Sequence, residues 1–170
     1  MISIKFRNLD KIINRVERLS KLFDEKSARF LDELAKVGID SADVTFSTAQ
    51  YDGTNDVVVD REPHWVSDTK LYVSARGKSI TFIEFGSGVF YPERHPKDLK
   101  LGFIRGKFGY KQGSHPPWTY EGEAGSKGRR LSNGRILTYG NPPAMAMYKA
   151  SQDMRDSIEK IAKEIFYDRH

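Results

Sequence analysis

The sequence predicts an α+β domain, in which a small antiparallel sheet packs against a long N-terminal helix and a C-terminal amphipathic helix. Three observations favour this class. An apolar stripe at helical spacing lies towards each end of the chain, short strand-like runs lie between the stripes, and a glycine-rich stretch follows the runs. A length of 170 residues fits a single domain over residues 1–170.

The first helix is predicted over residues 9–37, and a short strand is predicted before it over residues 2–6. Gly38 is expected just beyond the end of the helix, because glycine favours that position. At 1.5 Å per residue the helix would be about 43 Å long, so its stripe needs a sheet or a partner to cover it. The stripe consists of Leu9, Ile12, Val16, Leu19, Phe23, Phe30, Leu34 and Val37.

Four strands are predicted next, over residues 42–47, 56–60, 70–75 and 79–85. The Arg-Gly-Lys sequence at 76–78 is typical of a tight turn, so the last two strands are expected to form a hairpin. Glu84 would then lie in an apolar strand, facing solvent or a subunit contact.

The C-terminal helix is predicted to begin at Asn141 as the cap, with Pro142 at the first helical position, where proline costs least. Apolar residues recur along it at spacings of three and four. They are Met147, Ala150, Met154, Ile158, Ile161 and Ile165.

Residues 87–140 are predicted to form a long loop rich in glycine, aromatic and basic residues. The stretch from 86 to 140 holds 11 of the 14 glycines in the chain, which leaves no sustained helical or strand period. Between residues 87 and 135 there are ten basic and four acidic residues, a local net charge of +6 in a chain of net charge +5. Disordered segments are poor in aromatics, so this loop is expected to become ordered against a partner.

Several chemistries lack the residues that they require. The Gly86-Ser87-Gly88 turn is followed by no Lys-Ser/Thr pair and no helix start, which argues against a phosphate loop, and it does not match the GxSxG pattern of hydrolases. The histidines show no metal-ligand spacing, and the absence of cysteine excludes disulfides and thiolate sites. No cofactor or metal is therefore expected. No apolar run approaches the roughly 20 residues of a membrane span, so a soluble protein with no membrane partner is expected.

Two functional alternatives remain open from the residues themselves. Glu84 in an apolar setting is a candidate general acid or base, with Glu93 or His95 as the nearby partner in a small hydrolase. Basic residues interleaved with aromatics would suit a small nucleic-acid-binding module. The basic residues of that module would be Arg105, Lys107, Lys111, Lys127, Arg129 and Arg130.

One arrangement of motifs resembles that of a known family. It consists of Glu84-Phe85-Gly86-Ser87-Gly88, then a variable loop, and then an Asn-Pro-Pro start to the last helix. It resembles the minor tail-component, or tail-completion, family of long-tailed bacteriophages and their prophages. In that family a strand ending in Glu-Phe-Gly-Thr-Gly or similar precedes a loop and a proline-initiated helix. Here Ser87 stands where threonine is common, and the segment 89–140 is longer than the family's loop.

The resemblance implies a non-enzymatic structural protein of the virion that joins the tail tube to the head–tail connector and assembles as a ring at the tail end. The implied partners are further copies of the chain, the tail-tube protein, connector proteins and DNA passing through the lumen. The implied location is the virion tail or neck, assembled in the host bacterial cytoplasm. The expected assembly interface consists of Glu84, Phe85, Gly86, Gly88, Phe90, Tyr91, Arg105, Phe108, Tyr110, Trp118, Tyr120, Arg129 and Arg130.

Overall fold

The α+β class is confirmed in a computed structural model, which describes residues 9–88, 94–97, 100–102, 118–121, 124 and 128–167. Three helices are present in this part of the chain, namely α1 (Leu9–Ser47), α2 (Ile80–Phe85) and α3 (Ala146–Phe166). Short antiparallel strands lie between them. The strand predicted over residues 2–6 lies outside the described residues.

Helix α1 has 39 residues and continues through Gly38, so the prediction that the helix ends there is wrong. Gly38 is buried, and a Cβ atom at this position would lie 2.5 Å from Sδ of Met154 in α3. The glycine therefore allows the two helices to approach closely. A helix of this length is about 58 Å long, whereas the 21 residues of α3 span about 31 Å.

The strand predicted over residues 42–47 is also wrong, because this segment is the last part of α1. Ala42 and Phe46 are buried while Val44 is 62% exposed. A spacing of four places Ala42 and Phe46 on the same face of the helix, towards α3, whereas a strand would place Val44 beside them.

The chain from β1 to β4 forms one long, irregular hairpin. Strand β1 (Val58–Val59) pairs with β4 (Ala75–Arg76), and β2 (His64–Ser67) pairs with β3 (Lys70–Tyr72) inside that pair. The predicted strands at 56–60 and 70–75 each contain an observed strand, but His64–Ser67 was not predicted. The hairpin predicted through the turn at 76–78 is wrong, since residue 76 pairs back to residue 58.

Residues 79–85 form helix α2 and its cap in place of the predicted strand. The carboxylate of Asp56 accepts hydrogen bonds from the backbone N–H groups of Lys78 (2.8 Å) and Ser79 (2.9 Å). This holds the turn that leads into α2. In a strand, the side chains of Ile83 and Glu84 would point to opposite faces of the sheet, yet both residues are buried.

The segment predicted as a loop over residues 87–140 contains a three-stranded sheet among its described residues. The strands are β5 (Trp118–Tyr120), β6 (Arg129–Arg130) and β7 (Ile136–Thr138), in the order β5-β7-β6 with antiparallel pairing. Strands of two or three residues are too short to show a period in the sequence. Ile136 and Thr138 of the central strand are nevertheless buried on one face.

Helix α3 begins at Ala146, so the prediction of a helix capped by Asn141 is wrong at its start. Met145 precedes the helix with a φ angle of 58°, in the left-handed region. Asn141 instead forms an antiparallel bridge with Ser87. Of the predicted stripe, Ala150, Ile161 and Ile165 are buried, whereas Ile158 is 46% exposed.

The core consists of two apolar clusters along the line where α1 meets α3. The larger cluster joins the end of α1 to α2, β1 and the start of α3, through Ile39, Ala42, Phe46, Val59, Ile83, Ala146 and Ala150. The smaller cluster lies further along both helices, at Leu34, Ile161 and Ile165. Both clusters thus depend on α3.

Candidate functional site

Glu84 lies in the interior of the protein and accepts hydrogen bonds through both carboxylate oxygens. Its Oε2 accepts from the backbone N–H of Met147 (3.0 Å), and its Oε1 accepts from the backbone N–H of Tyr148 (3.2 Å) and from Nε2 of His95 (3.2 Å). Glu84 is only 5% exposed, so the prediction of a solvent-facing strand residue is wrong.

These bonds make Glu84 the N-terminal cap of α3. Met147 and Tyr148 lie in the first turn, whose N–H groups have no partner within the helix. Met145 offers no side-chain cap, and the positive end of the helix dipole favours a carboxylate there. Backbone bonds strengthen the junction, since the carbonyls of Ile83 and Glu84 accept from the N–H groups of residues 144 (2.8 Å) and 145 (3.2 Å).

His95 uses both ring nitrogens inside the protein. Its Nδ1 accepts the backbone N–H of Lys97 (3.0 Å), so the proton of the neutral ring lies on Nε2, which donates to Glu84. The ring is 4% exposed and packs against Phe85 and Tyr148, at centroid distances of 4.4 and 5.5 Å. A general base must offer a free nitrogen to its substrate, and this arrangement offers none.

A cavity of about 390 Å³ adjoins the Glu84–His95 pair. Its lining is chiefly apolar and includes Ile80, Leu101 and Met147. The Glu84 and His95 side chains lie at the wall of this cavity, and they make their hydrogen bonds within the α2–α3 junction. The geometry therefore fits a positioning role for both residues.

The glycine-rich motif after Glu84 forms a second part of the same junction. Ser87 and Asn141 exchange backbone hydrogen bonds of 2.9 and 3.2 Å, and the Ser87 hydroxyl donates to Oδ1 of Asn141 (2.6 Å). Gly86 and Gly88 have φ angles of 71° and 76°, a region that favours glycine. The turn identified at Gly86-Ser87-Gly88 is therefore present, but the chain leaves a helix there and not the predicted strand.

Tyr120 and Thr138 both bind the loop that follows α1. The Tyr120 hydroxyl donates to the backbone carbonyl of Asp52 (2.5 Å), and the Thr138 hydroxyl donates to the Asp52 carboxylate. Burial, followed by the charges of Asp52 and Tyr51, raises the pKa of Tyr120 to about 12. Half-buried Tyr120 thus attaches the three-stranded sheet to the rest of the fold.

Among the described residues, the members of the expected interface do not form one exposed surface. Of those it describes, Glu84 is buried, and Phe85, Gly86, Gly88, Trp118 and Tyr120 are half-buried. Only Arg129 and Arg130 on β6 are exposed, and Arg130 donates to the carbonyl of Gly134 (3.0 Å). The remaining members lie outside the described residues, namely Phe90, Tyr91, Arg105, Phe108 and Tyr110, as do Lys107, Lys111 and Lys127 of the basic set.

An exposed apolar surface lies instead on α1, over residues 10–25, here named the N-terminal overhang. Every residue in this range is exposed. Helix α3 reaches it only at its inner end, where Phe166 contacts Phe23 at a centroid distance of 5.9 Å. Beyond that point no described residue covers the apolar stripe of α1. The uncovered part of the stripe consists of Ile12, Ile13, Val16, Leu19 and Leu22.

Comparisons of the chain with protein-family models, with curated proteins and with solved structures find no match. Within the described ranges, no group of three or more histidine, aspartate or glutamate residues is placed to hold a metal ion. None of the described helices combines the length and the apolar character that a membrane span requires.

Proposed function

We propose that the protein is a structural component of a tailed phage or prophage virion, a tail-completion or head–tail joining protein that assembles as a ring. The observation that carries this proposal is the exposed apolar stripe of the N-terminal overhang. Val16 is 60% exposed and Phe23 is 63% exposed. A contiguous exposed apolar patch on a small protein marks a surface that binds another molecule.

The energetics favour assembly over a free monomer. Burying one large aliphatic side chain stabilises by about 1.5–3 kcal/mol. The overhang offers several such side chains on a single helix. A partner that covers the stripe gains this free energy.

The hairpin offers a second exposed surface. All four residues of β2 are exposed, and Trp65, Val66 and Tyr72 are 44%, 57% and 51% exposed. His64 stacks on Tyr72 at a centroid distance of 5.0 Å. A two-stranded hairpin is marginal without support, so this one gains from a neighbour. A protein that joins two structures requires more than one contact surface, and this chain offers two.

The interior of the protein also fits a structural function. The two motifs that carry the phage resemblance, at 84–88 and 141–143, meet at the α2–α3 junction through the Ser87–Asn141 bridge. Glu84 is occupied there as a helix cap, so the carboxylate that suggested a hydrolase is engaged in holding the fold. This favours a joining protein over the hydrolase alternative.

Mass measurement tests the proposal, with the purified protein alone and mixed with a phage tail-tube protein. We expect the mass of a closed oligomer, or of a complex with tubes. We also expect rings in electron micrographs. A strict monomer that never joins tubes or connectors contradicts the proposal. Salt-dependent binding of DNA by that monomer would favour the nucleic-acid alternative instead.

A further inference from the structure

We propose that Asp52 is the anionic ligand of a monovalent-cation site, for sodium or potassium, between the loop after α1 and the three-stranded sheet. The site goes beyond the proposed assembly function and does not depend on it. The burial of Asp52, one oxygen of its carboxylate and the groups around the adjoining cavity support the site.

Asp52 is a buried carboxylate with one unsatisfied oxygen. The residue is only 6% exposed. Its Oδ2 accepts a hydrogen bond from the Thr138 hydroxyl, but none of the described residues donates to Oδ1, which is itself buried. A buried charge without a compensating group is strongly unfavourable, and buried charges in proteins are normally paired or bind a metal ion.

A small cavity of about 40 Å³ adjoins this carboxylate. Ser87, Tyr120, Thr138 and Asn141 also line it, and all of them except Tyr120 are buried. One water-sized species requires about 10–15 Å³ of such space. Pockets for organic ligands begin at about 300 Å³. The size of the cavity therefore fits a single small ion.

The hydroxyl groups of this lining have already committed their protons. The Tyr120 hydroxyl donates to the carbonyl of Asp52 (2.5 Å), and the Ser87 hydroxyl donates to Oδ1 of Asn141 (2.6 Å). The Thr138 hydroxyl donates to Oδ2 of Asp52. A hydroxyl has one proton and two lone pairs, so these three groups can offer only lone pairs to a ligand. Hard cations bind oxygen lone pairs of this kind beside a carboxylate.

The same groups favour a cation over a water molecule. Water can donate a hydrogen bond to Oδ1 of Asp52, but it is neutral and leaves the carboxylate charge uncompensated. A buried water also makes about three hydrogen bonds, of which it can donate only two. The three hydroxyls have no proton left for it to accept. A cation compensates the charge and binds the lone pairs together.

The charge of the site favours a monovalent ion. Asp52 is the only carboxylate among the described residues that line the cavity, so one sodium or potassium ion makes the site neutral. Calcium or magnesium would leave one excess positive charge in buried surroundings. Calcium sites also use six to eight oxygen ligands, commonly with several carboxylates.

A cation at this position would join segments that are distant in the chain. Asp52 belongs to the loop after α1, Ser87 follows α2, and Thr138 lies on β7. The attachment of the three-stranded sheet would then depend on the ion as well as on the Tyr120 and Thr138 hydrogen bonds.

Thermal unfolding tests the site in sodium chloride, potassium chloride or N-methyl-D-glucamine chloride at equal concentration. The ionic strength is then constant, so general screening does not differ. The melting temperature should be at least about 3 °C higher with sodium or potassium than with the organic cation. Asp52→Asn keeps the shape of the side chain, removes its charge and should abolish the difference. Asp43→Asn, an exposed position on α1, should retain it.

Sodium-23 NMR measures binding in the wild-type protein, which keeps the test valid if Asp52→Asn does not fold. The protein should broaden the sodium resonance, and added potassium should compete and narrow it again. Ser87→Ala keeps the Asp52 charge but removes one hydroxyl ligand, so it should weaken the broadening. Asp43→Asn should broaden the resonance as the wild type does.

Equal wild-type melting temperatures in the three salts, with no sodium broadening, would mean that water alone satisfies Oδ1 and would overturn the inference. A salt difference that persists in folded Asp52→Asn would also contradict it, because the effect would then arise elsewhere. Stabilisation by calcium chloride but by neither monovalent salt would overturn the assignment to a monovalent ion. None of these outcomes bears on ring assembly or on binding to tubes.

Discussion

His95 donates a hydrogen bond through Nε2 to Oε1 of Glu84 across 3.2 Å, with both side chains almost fully buried. Glu84 belongs to α2, yet its carboxylate also receives the first backbone N–H groups of α3. One side chain thus joins two helices through contacts between residues 63 and 64 positions apart in the chain. The stability of this junction is directly measurable.

Glu84→Gln should lower the free energy of unfolding by about 2–4 kcal/mol, because a buried amide replaces the charge at the helix N-terminus and turns an N–H group towards other donors. Urea unfolding followed by circular dichroism measures the change. Glu164→Gln, an exposed position on α3, should stay within about 0.5 kcal/mol of the wild type. Equal values for the two variants would mean that Glu84 does not cap α3.

Gly140→Ala should be strongly destabilising, because its φ angle is 93° and a Cβ atom there would overlap the carbonyl of Ser87. We expect a loss of at least about 3 kcal/mol. The matched control is Gly134→Ala, where φ is 80° and no atom lies within 4 Å of the added methyl group. This variant has only the backbone strain, about 1 kcal/mol. Similar melting temperatures for the two would contradict the close Ser87–Asn141 junction.

Phe46→Ala should reduce stability by about 3–5 kcal/mol, because the ring is 2% exposed within the larger core cluster. Val44→Ala should change it by less than about 0.5 kcal/mol, since Val44 is 62% exposed on α1. The pair distinguishes a helix from a strand at 42–47. In a strand the two side chains share a face, so comparable losses would support the strand.

Asp56 should make folding more sensitive to acid. Hydrogen bonds from the Ser79 hydroxyl and from the backbone of Lys78 and Ser79 lower its pKa from 3.8 to about 2. The bonds favour the charged form, so this contribution is present above pH 3.8 and is lost as the pH falls towards 2. The melting temperature of Asp56→Asn should therefore fall less steeply than that of the wild type across this window. An Asp56→Asn melting temperature that falls as steeply as that of the wild type across this window would contradict this role of Asp56.

The helices were predictable because their apolar residues repeat over many turns. Ala150, Ile161 and Ile165 are buried as the period requires. The end of α1 was not predictable in this way, since Gly38 fits a helix terminus and only the contact with Met154 explains it as a point of close packing. The motif at 79–85 alternates like a strand, but Asp56, twenty-three residues away from Ser79, helps to set it as a helix.

Glu84 was identified from the sequence, but its role was not. Its partners on α3 are the backbone N–H groups of Met147 and Tyr148, and every residue except proline has such a group. No residue pattern marks which N–H groups will face a carboxylate more than sixty positions away. The apolar stripe of the overhang could be recognised in the sequence. How far α1 extends beyond α3 could be measured only once the bounds of both helices were known.

The position of α3 in the chain sets an order for biosynthesis. A ribosome makes α1, the hairpin and α2 before residue 146 is added, and both core clusters include residues of α3. Until that helix emerges from the exit tunnel, α1 has no α3 to cover its inner half, and Glu84 lacks the N–H groups that it caps. A nascent chain at this stage would expose the full apolar stripe of α1, which is the type of surface that chaperones bind.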